Sequence, residues 1–342
     1  MTSVTNKSEW CSVRRAENVD LSHLCRWLII RRLNHLRALI RRLIPLAITL
    51  QIGFGITALA HPASGIVVDQ EGNVYFIYSR TGVIRISSNG KMSYAHKAGD
   101  GHWMCIDEVG LFSRSQPKYF ERITPEGARP AIIFAGGGSP IAIGKDGNFY
   151  YCGGPHGEMN PGALTVVRET PDNEQEILSP SLEDTLQILD DGITGIAAGP
   201  NGLIYVAGWN SLLRVSMDGR IETLVHPVVV NECDSDPADH LESNRAKPLL
   251  RGLAVDSSGV VYAAATSCHC LLRITPDGRV KTILKSDRPW APTGVALHGD
   301  SIYLLEYTNA NGPATEGWKP RVRKIDKDGN ISVIADLSSE RK

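Results

Sequence analysis

Six polar side chains occupy one place in a repeated pattern, because each comes just before a short apolar run. They are Ser64, His102, Ser139, Thr194, Arg251 and Thr293. Hydroxyl and imidazole groups can hold the polar groups of a small molecule, and a guanidinium offers five N–H donors to an anion. If the fold brings the six positions together, they predict a binding site for a polar ligand.

A second set of candidates lies at the ends of other apolar runs and in the long connections. Glu306 interrupts the run Tyr303–Tyr307, where a buried carboxylate needs a partner or a task. His156 and Glu158 add an imidazole and a carboxylate, which together with His102 and Glu306 are of the type that metal-assisted chemistry uses. Flat apolar surface and an amide for a ligand are expected from Trp209, Asn210, Trp290, Tyr307 and Trp318.

The elements that position these residues come from an internal repeat. Six segments between 61 and 342 follow one template, which consists of an apolar run, a Gly turn, a second apolar run, an Arg-apolar pair and another Gly turn. The 282 residues give 47 for each of the six repeats. Each repeat predicts four short strands joined by tight turns, and such units bury their faces by stacking radially. The fold class predicted for 61–342 is therefore all-β, a six-bladed propeller of four-stranded blades.

The repeat motifs resemble the NHL repeat and the SMP-30/gluconolactonase-like propellers. The resemblance rests on Gly252–Asp256 with Val261–Tyr262, and on Leu272–Ile274 with Pro276–Gly278. For an SMP-30-like enzyme it implies a divalent cation (Ca, Mg or Zn) over the channel, held by carboxylate and amide oxygens. The six pre-strand positions lack the Asn and Asp ligands of that family, and Arg251 would repel a cation. The sequence therefore predicts no specific cofactor, and a bound divalent cation remains an alternative.

In a propeller, the repeat places every long connection on one face. These connections are 153–163, 177–193, 224–250 and 308–321, whereas the turns at the other end are short. Long loops clustered on one face favour function there. This face, where the inner strands begin, is called the top face, and it is the predicted site.

The candidates also have structural interpretations, which the sequence leaves open. Arg251 would pair with Glu306 or with an acidic residue such as Asp234 or Asp236. His102 would be a hydrogen-bonded channel residue, and the tryptophans would cap the blades instead of stacking on a ligand.

Three of the seven cysteines fall in one repeat. Cys233 lies in the 224–250 connection, and Cys268 and Cys270 lie in a turn on the same face. A disulfide from Cys233 to Cys268 or Cys270 is expected, since export would permit it. The alternatives are unpaired thiols, or a metal site that adds His240 or His269.

The amino-terminal part of the chain differs in composition from the repeats. A basic leader, 1–42, precedes an uncharged run, 43–60, that ends Ala58-Leu59-Ala60. This order predicts a secretory signal, or alternatively a single-pass membrane anchor. The expected location is therefore extracytoplasmic, periplasmic or secreted, with membrane attachment only if 43–60 is uncleaved.

The formal net charge of -1 gives no reason to expect a nucleic-acid partner. The function predicted from the sequence is an exported NHL-type propeller that binds an anionic or sugar-like ligand, a small molecule or protein, on its top face. The alternatives are an SMP-30-like hydrolase, lactonase or lyase with an altered metal centre, and a membrane-anchored interaction scaffold.

Overall fold

The structure is a computed structural model. It describes residues 62–97, 101–107, 120–124, 131–135, 139–153, 165–172, 174–178, 189, 192–231, 233, 248–308, 310 and 317–339. The leader and the run 43–60 lie outside these ranges. Within them, no helix has the length and apolar character needed to span a membrane.

Five of the six sheets are four-stranded antiparallel blades whose strands follow sequence order from the centre outward. Blade one contains β1 (Ile66–Val68), β2 (Val74–Tyr78), β3 (Gly82–Ile86) and β4 (Met92–His96). Blade three contains β8 (Ile141–Ile143), β9 (Phe149–Gly153), β10 (Thr165–Glu169) and β11 (Gln175–Ile177). Blade four contains β12 (Gly195–Ala198), β13 (Ile204–Ala207), β14 (Leu212–Val215) and β15 (Ile221–Val225).

Blades five and six have the longest strands, and their inner strands contain Arg251 and Thr293. Blade five contains β16 (Leu250–Val255), β17 (Val261–Ala265), β18 (Cys270–Ile274) and β19 (Val280–Lys285). Blade six contains β20 (Trp290–His298), β21 (Ser301–Thr308), β22 (Pro320–Ile325) and β23 (Ile331–Asp336). Short 3-10 turns at Pro200–Gly202 and Thr266–Cys268 connect strands in blades four and five. The predicted all-β, six-bladed propeller is thus confirmed.

Blade two departs from the predicted strand order. Its described strands are β5 (Trp103–Asp107), β6 (Phe120–Ile123) and β7 (Ala131–Ala135), and the sheet order is β5-β7-β6. Strands paired in chain order, as in the other blades, would place β7 outermost, whereas it lies between β5 and β6. The physical reason is burial, because Ile132 and Ile133 are almost fully buried whereas Arg122 of β6 is exposed. The more apolar strand takes the inner position next to β5.

Glycines at the start of the inner strands allow neighbouring blades to approach closely. A Cβ on Gly195 would collide with the carbonyl oxygen of Arg251, and one on Gly294 with that of Ser64. The circle closes where the Thr293 hydroxyl of blade six donates to the Ala63 carbonyl of blade one at 2.8 Å. The small residue and Gly that open most repeats are therefore required by the packing at the centre.

Apolar side chains fill the wedges between blades. The wedge between blades six and one contains Phe76, Tyr303, Leu305 and Trp318, which are all buried. The turns at the end opposite the top face are fixed by short polar networks. In blade one, the Asp69 carboxylate accepts hydrogen bonds from the Asn73 amide and side chain, each at 2.7 Å. Side-chain to backbone hydrogen bonds of this kind stabilise short turns.

Candidate functional site

The structure brings the six pre-strand residues into one ring around the central channel, here called the channel ring. The amide of Ser64 donates to the carbonyl of His102 at 2.8 Å. Thr293 lies next to Ser64 on one side and, through Gly252, next to Arg251 on the other. Arg251 lies next to Gly195 and hence to Thr194. Because β5, β8 and β12 pack in succession, Ser139 completes the circle between His102 and Thr194.

Arg251 is a buried guanidinium that has no counterion among the residues the structure describes. The side chain is only 9% exposed, and its buried Nη1 atom has no hydrogen-bond partner. Burial lowers the pKa of Arg251 to about 10, because the charged guanidinium loses hydration. The group still carries its charge at neutral pH. An unpaired charge in such a place is costly, so Arg251 favours the approach of an anion.

The backbone at Arg251 is irregular. Leu250 pairs with Ala265 and Leu253 pairs with Ala263, so Arg251 and Gly252 together face a single residue of β17. This β-bulge re-aims a side chain relative to a regular strand. Thr293 lies at a corresponding register shift in blade six, between Pro292 and Gly294.

Two hydroxyls of the channel ring are buried and have no hydrogen-bond partner within the described ranges. They belong to Ser64, which is 4% exposed, and Ser139, which is 1% exposed. The hydroxyl of Thr194 instead donates to the Ala207 carbonyl at 3.2 Å, and that of Thr293 is also occupied. His102 is half-buried. The ring thus offers one positive charge and two uncommitted hydroxyls, and none of its six residues is a carboxylate.

Glu306 is not the partner of Arg251. It is fully buried and accepts hydrogen bonds from Arg321 Nε at 2.8 Å and from Arg323 Nη2 at 2.6 Å. The Ser286 hydroxyl donates to the same carboxylate, and Arg323 also donates to Ser286 at 2.7 Å. The register of blade six causes this, because β22 places Arg321 directly opposite Glu306. The sequence interpretation that paired Glu306 with Arg251 is corrected, and Asp234 and Asp236 lie outside the described residues.

Two of the aromatic candidates are structural. Tyr307 is fully buried, and its hydroxyl donates to the Ile77 carbonyl of blade one. Burial raises the pKa of this phenol. Trp318 is 7% exposed and belongs to the wedge between blades six and one. The expectation that these two rings provide surface for a ligand is therefore not met, because both side chains pack between blades six and one.

The other candidates of this set lie at strand ends, Trp209 and Asn210 between β13 and β14 and Trp290 at the start of β20. The Arg321 guanidinium covers the half-buried Trp290 ring at 4.1 Å from its centroid. Trp209 and Asn210 are half-buried and contribute their backbones, since their carbonyls accept from Leu250 at 3.0 Å and from Val228 at 2.6 Å. These residues support the segment that leads into β16 and thus reach Arg251 indirectly.

Cys233 and Cys268 form a disulfide, with their Cα atoms 4.6 Å apart. Cys270 is a buried free thiol, and burial raises its pKa to about 11. Because two of the three sulfurs are joined to each other, a zinc site made from all three is not formed. His156, Glu158 and His240 lie outside the described residues, and the described ones contain no cluster of three or more metal-ligating side chains.

A turn that the sequence did not single out contacts the backbone beside two ring residues. This anchoring turn is Thr266–Cys268. Its Thr266 and Ser267 amides donate to the carbonyls of Leu249 and Pro248 at 3.1 and 3.2 Å. The Thr266 hydroxyl donates to the Pro292 carbonyl at 2.7 Å, next to Thr293. The only sequence signal was a polar Thr-Ser pair after the apolar run of β17.

Comparison with known proteins supports the fold and leaves the function open. No protein-family model matches the chain. The chain is 26% identical over 161 residues to Teneurin-m of Drosophila melanogaster, which covers 41% of this chain and only 5% of that protein. Thus the chain spans a small part of the curated relative's length.

Solved structures that resemble the chain are propellers of very different sequence. A Bacteroides thetaiotaomicron protein of unknown function is 15% identical, with a TM-score of 0.53 over 81% of this chain and 71% of that one. A gluconolactonase from Xanthomonas campestris is 12% identical, with a TM-score of 0.47 over 72% and 83%. A virginiamycin B lyase from Staphylococcus aureus is 13% identical, with a TM-score of 0.45 over 83% and 87%. At these identities the likeness shows the fold alone.

Proposed function

We propose that the protein binds a small anionic molecule at the channel ring, with Arg251 as the residue that recognises the charge. The observation that carries the proposal is the buried guanidinium of Arg251, for which the described part of the chain supplies no counterion. A buried unpaired charge is destabilising, and an anionic ligand supplies the missing partner when it binds. The folded protein tolerates this cost in the unliganded state because the rest of the propeller is extensively packed.

The arrangement of the ring indicates how the ligand is held. In ring order, Arg251 lies opposite His102, and Ser64 and Ser139 lie on either side of His102. An anionic group at Arg251 would therefore place the remainder of a small ligand near two uncommitted hydroxyls. This favours an anion that also carries hydrogen-bonding groups, in line with the anionic or sugar-like ligand expected from the sequence.

Binding is favoured over metal-dependent hydrolysis or lyase chemistry by the donor set of the ring. Hard divalent cations require several oxygen ligands and charge neutralisation by carboxylates. Four of the six ring residues carry hydroxyl groups, and the other two are His102 and Arg251. Outside the ring, the charge of Glu306 is already neutralised by Arg321 and Arg323. Among the six ring residues, a cation would meet the positive charge of Arg251 and no carboxylate.

The NHL-type identity and the extracytoplasmic location are part of the same proposal. The disulfide between Cys233 and Cys268 supports an oxidising compartment, because thiols are kept reduced in the cytosol. Thiol labelling of the protein from intact cells and from separated cell fractions tests the location. Recovery of the chain in the cytosolic fraction with both thiols reduced would contradict it.

Isothermal titration with acetate, inorganic phosphate and citrate tests the binding function. Arg251→Gln should weaken the tightest-binding of these anions about tenfold or more, as expected for loss of a charge-assisted hydrogen bond. Arg279→Gln is the matched control, because Arg279 is exposed in the turn between β18 and β19, at the far end of the same blade. It removes the same charge and should leave the affinity unchanged. Equal weakening in both variants, or no anion binding by the wild type, would contradict the proposal.

A further inference from the structure

The anchoring turn, Thr266–Cys268, determines the position of the backbone that carries Arg251. Because Arg251 lies in a bulge, its own backbone is outside the regular ladder between β16 and β17. Its position depends on the residues just before it, Pro248 and Leu249, whose carbonyls accept hydrogen bonds from the anchoring turn. Leu249 adopts a φ of 48°, a left-handed conformation that is unfavourable for a side chain with a Cβ. The contacts with the turn must compensate this strain.

The same turn also contacts blade six. The Thr266 hydroxyl donates to the Pro292 carbonyl at 2.7 Å, one residue before Thr293 of the channel ring. His269, which directly follows the turn, places its Nδ1 atom 2.7 Å from the Trp290 carbonyl. One turn therefore sets the spacing between the two adjacent ring positions 251 and 293.

The disulfide fixes this turn to the connection between blades four and five. Cys268 is the last residue of the turn, and Cys233 lies 35 residues earlier in the chain. The crosslink joins the turn covalently to Cys233 in this connection. Without it, the described contacts that hold the turn are its backbone hydrogen bonds, the Thr266 hydroxyl and the packing of the Cys268 side chain.

We propose that the anchoring turn positions Arg251 for anion binding and that the Cys233–Cys268 disulfide makes the affinity of the channel ring depend on redox state. The proposal rests on the proposed function. A dithiol reductant would give two electrons and two protons to the disulfide. The sulfur–sulfur bond breaks, Cys233 and Cys268 become thiols, and the reductant becomes a cyclic disulfide. The turn is then less constrained, Arg251 samples more positions, and anion binding pays a larger ordering cost.

The first test separates positioning from mere stability by a pair of variants. Thr266→Val removes the hydroxyl and keeps the shape, whereas Thr266→Ser keeps the hydroxyl. We expect Thr266→Val to weaken binding of acetate, inorganic phosphate or citrate, whichever the wild type binds tightest, about fivefold. Thr266→Ser should restore near wild-type affinity. Equal affinities for the two variants would overturn the positioning role of the hydroxyl.

The second test compares oxidised and reduced protein with the same anion. Titration in the presence of dithiothreitol, with thiols counted by mass spectrometry, should show about five- to tenfold weaker binding. Cys233→Ser should bind like the reduced protein and no longer respond to dithiothreitol. Cys270→Ser keeps the disulfide and should respond like the wild type. Unchanged affinity after complete reduction of a protein that remains folded by circular dichroism would overturn the proposal.

Hydrogen exchange gives a readout that needs no ligand. Reduction should increase exchange of the Thr266, Ser267 and Leu250 amides, while amides of blade one stay protected. If the oxidised wild type binds no anion, the proposed function fails, and the exchange data still decide whether the disulfide controls the segment that leads to Arg251. Unchanged exchange at these amides would overturn the coupling on its own.

Discussion

Glu306 is predicted to be a structural centre of blade six, and Glu306→Gln tests this. The substitution keeps the shape of the side chain and removes its charge. In the wild type, the carboxylate accepts hydrogen bonds from Arg321, Arg323 and Ser286 and is fully buried. After the substitution, two arginines whose side chains are only 14% and 11% exposed have lost their counterion.

The expected cost follows from these contacts. Each hydrogen bond to a charged group contributes about 1.5–3 kcal/mol, and three of them give roughly 4–9 kcal/mol as an upper bound. The glutamine retains part of the bonding, and the arginines gain some hydration at their exposed edges. Removing one member of a buried ion pair usually costs about 3–5 kcal/mol, which we take as the expectation. For a domain of this size it corresponds to a melting temperature lower by roughly 6–10 °C.

Differential scanning calorimetry measures this effect, and Glu222→Gln serves as the control. Glu222 makes a single ion pair with Arg214 at 2.7 Å across β14 and β15, and its side chain is 49% exposed. Its loss should produce a shift too small to resolve, since exposed ion pairs contribute little. Similar melting temperatures for Glu306→Gln and Glu222→Gln would refute the reasoning. Glu306→Gln should also leave anion affinity unchanged, whereas a loss of affinity without a loss of stability would return Glu306 to the binding site.

Further predictions concern pH, packing and thiol reactivity. Because burial lowers the pKa of Arg251 to about 10, anion affinity should be constant below about pH 9 and fall about tenfold for each pH unit above 10, as titration calorimetry across this range can show. A pH-independent affinity up to pH 11 would contradict the lowered pKa of Arg251. Gly294→Ala should reduce the yield of folded protein or its melting temperature, since the new Cβ meets the Ser64 carbonyl oxygen, and an unchanged melt would contradict the close approach. The buried thiols of Cys105 and Cys152, whose pKa values burial raises, should resist iodoacetamide in the native protein and react only after unfolding, as mass spectrometry would report.

The sequence predicts the propeller because its evidence is local and repeated. The template of Gly turns and Arg-containing strands recurs in six segments, and the glycine that opens most inner strands reflects the approach of the next blade. The channel ring follows from the same register, since the residue before each inner strand must lie near the axis. The strand order of blade two was not predicted, because burial decides whether β6 or β7 pairs with β5. The order of the two strands in the chain does not indicate this choice.

The chemistry of the site was harder to predict because it depends on which side chains meet. By charge alone, Glu306 is a candidate partner of Arg251. The antiparallel pairing of β21 with β22 instead places Glu306 opposite Arg321. Arg251 is notable because the described residues offer its guanidinium no counterion, and such a missing contact has no signature in sequence. The anchoring turn escaped for a similar reason, since its hydrogen bonds connect residues that are 17 to 26 positions apart.

The central claim is that the buried charge of Arg251 is kept for an anionic ligand at the expense of stability. The most direct test is the melting temperature of the wild type and of Arg251→Met, each measured without ligand and with a saturating concentration of the anion that binds best. Without ligand, Arg251→Met should melt at a higher temperature, because an unpaired buried charge has been removed. With the anion, the wild type should gain stability through preferential binding to the native state, and the variant should not. A lower melting temperature for unliganded Arg251→Met, or equal stabilisation of both proteins by the anion, would contradict the account.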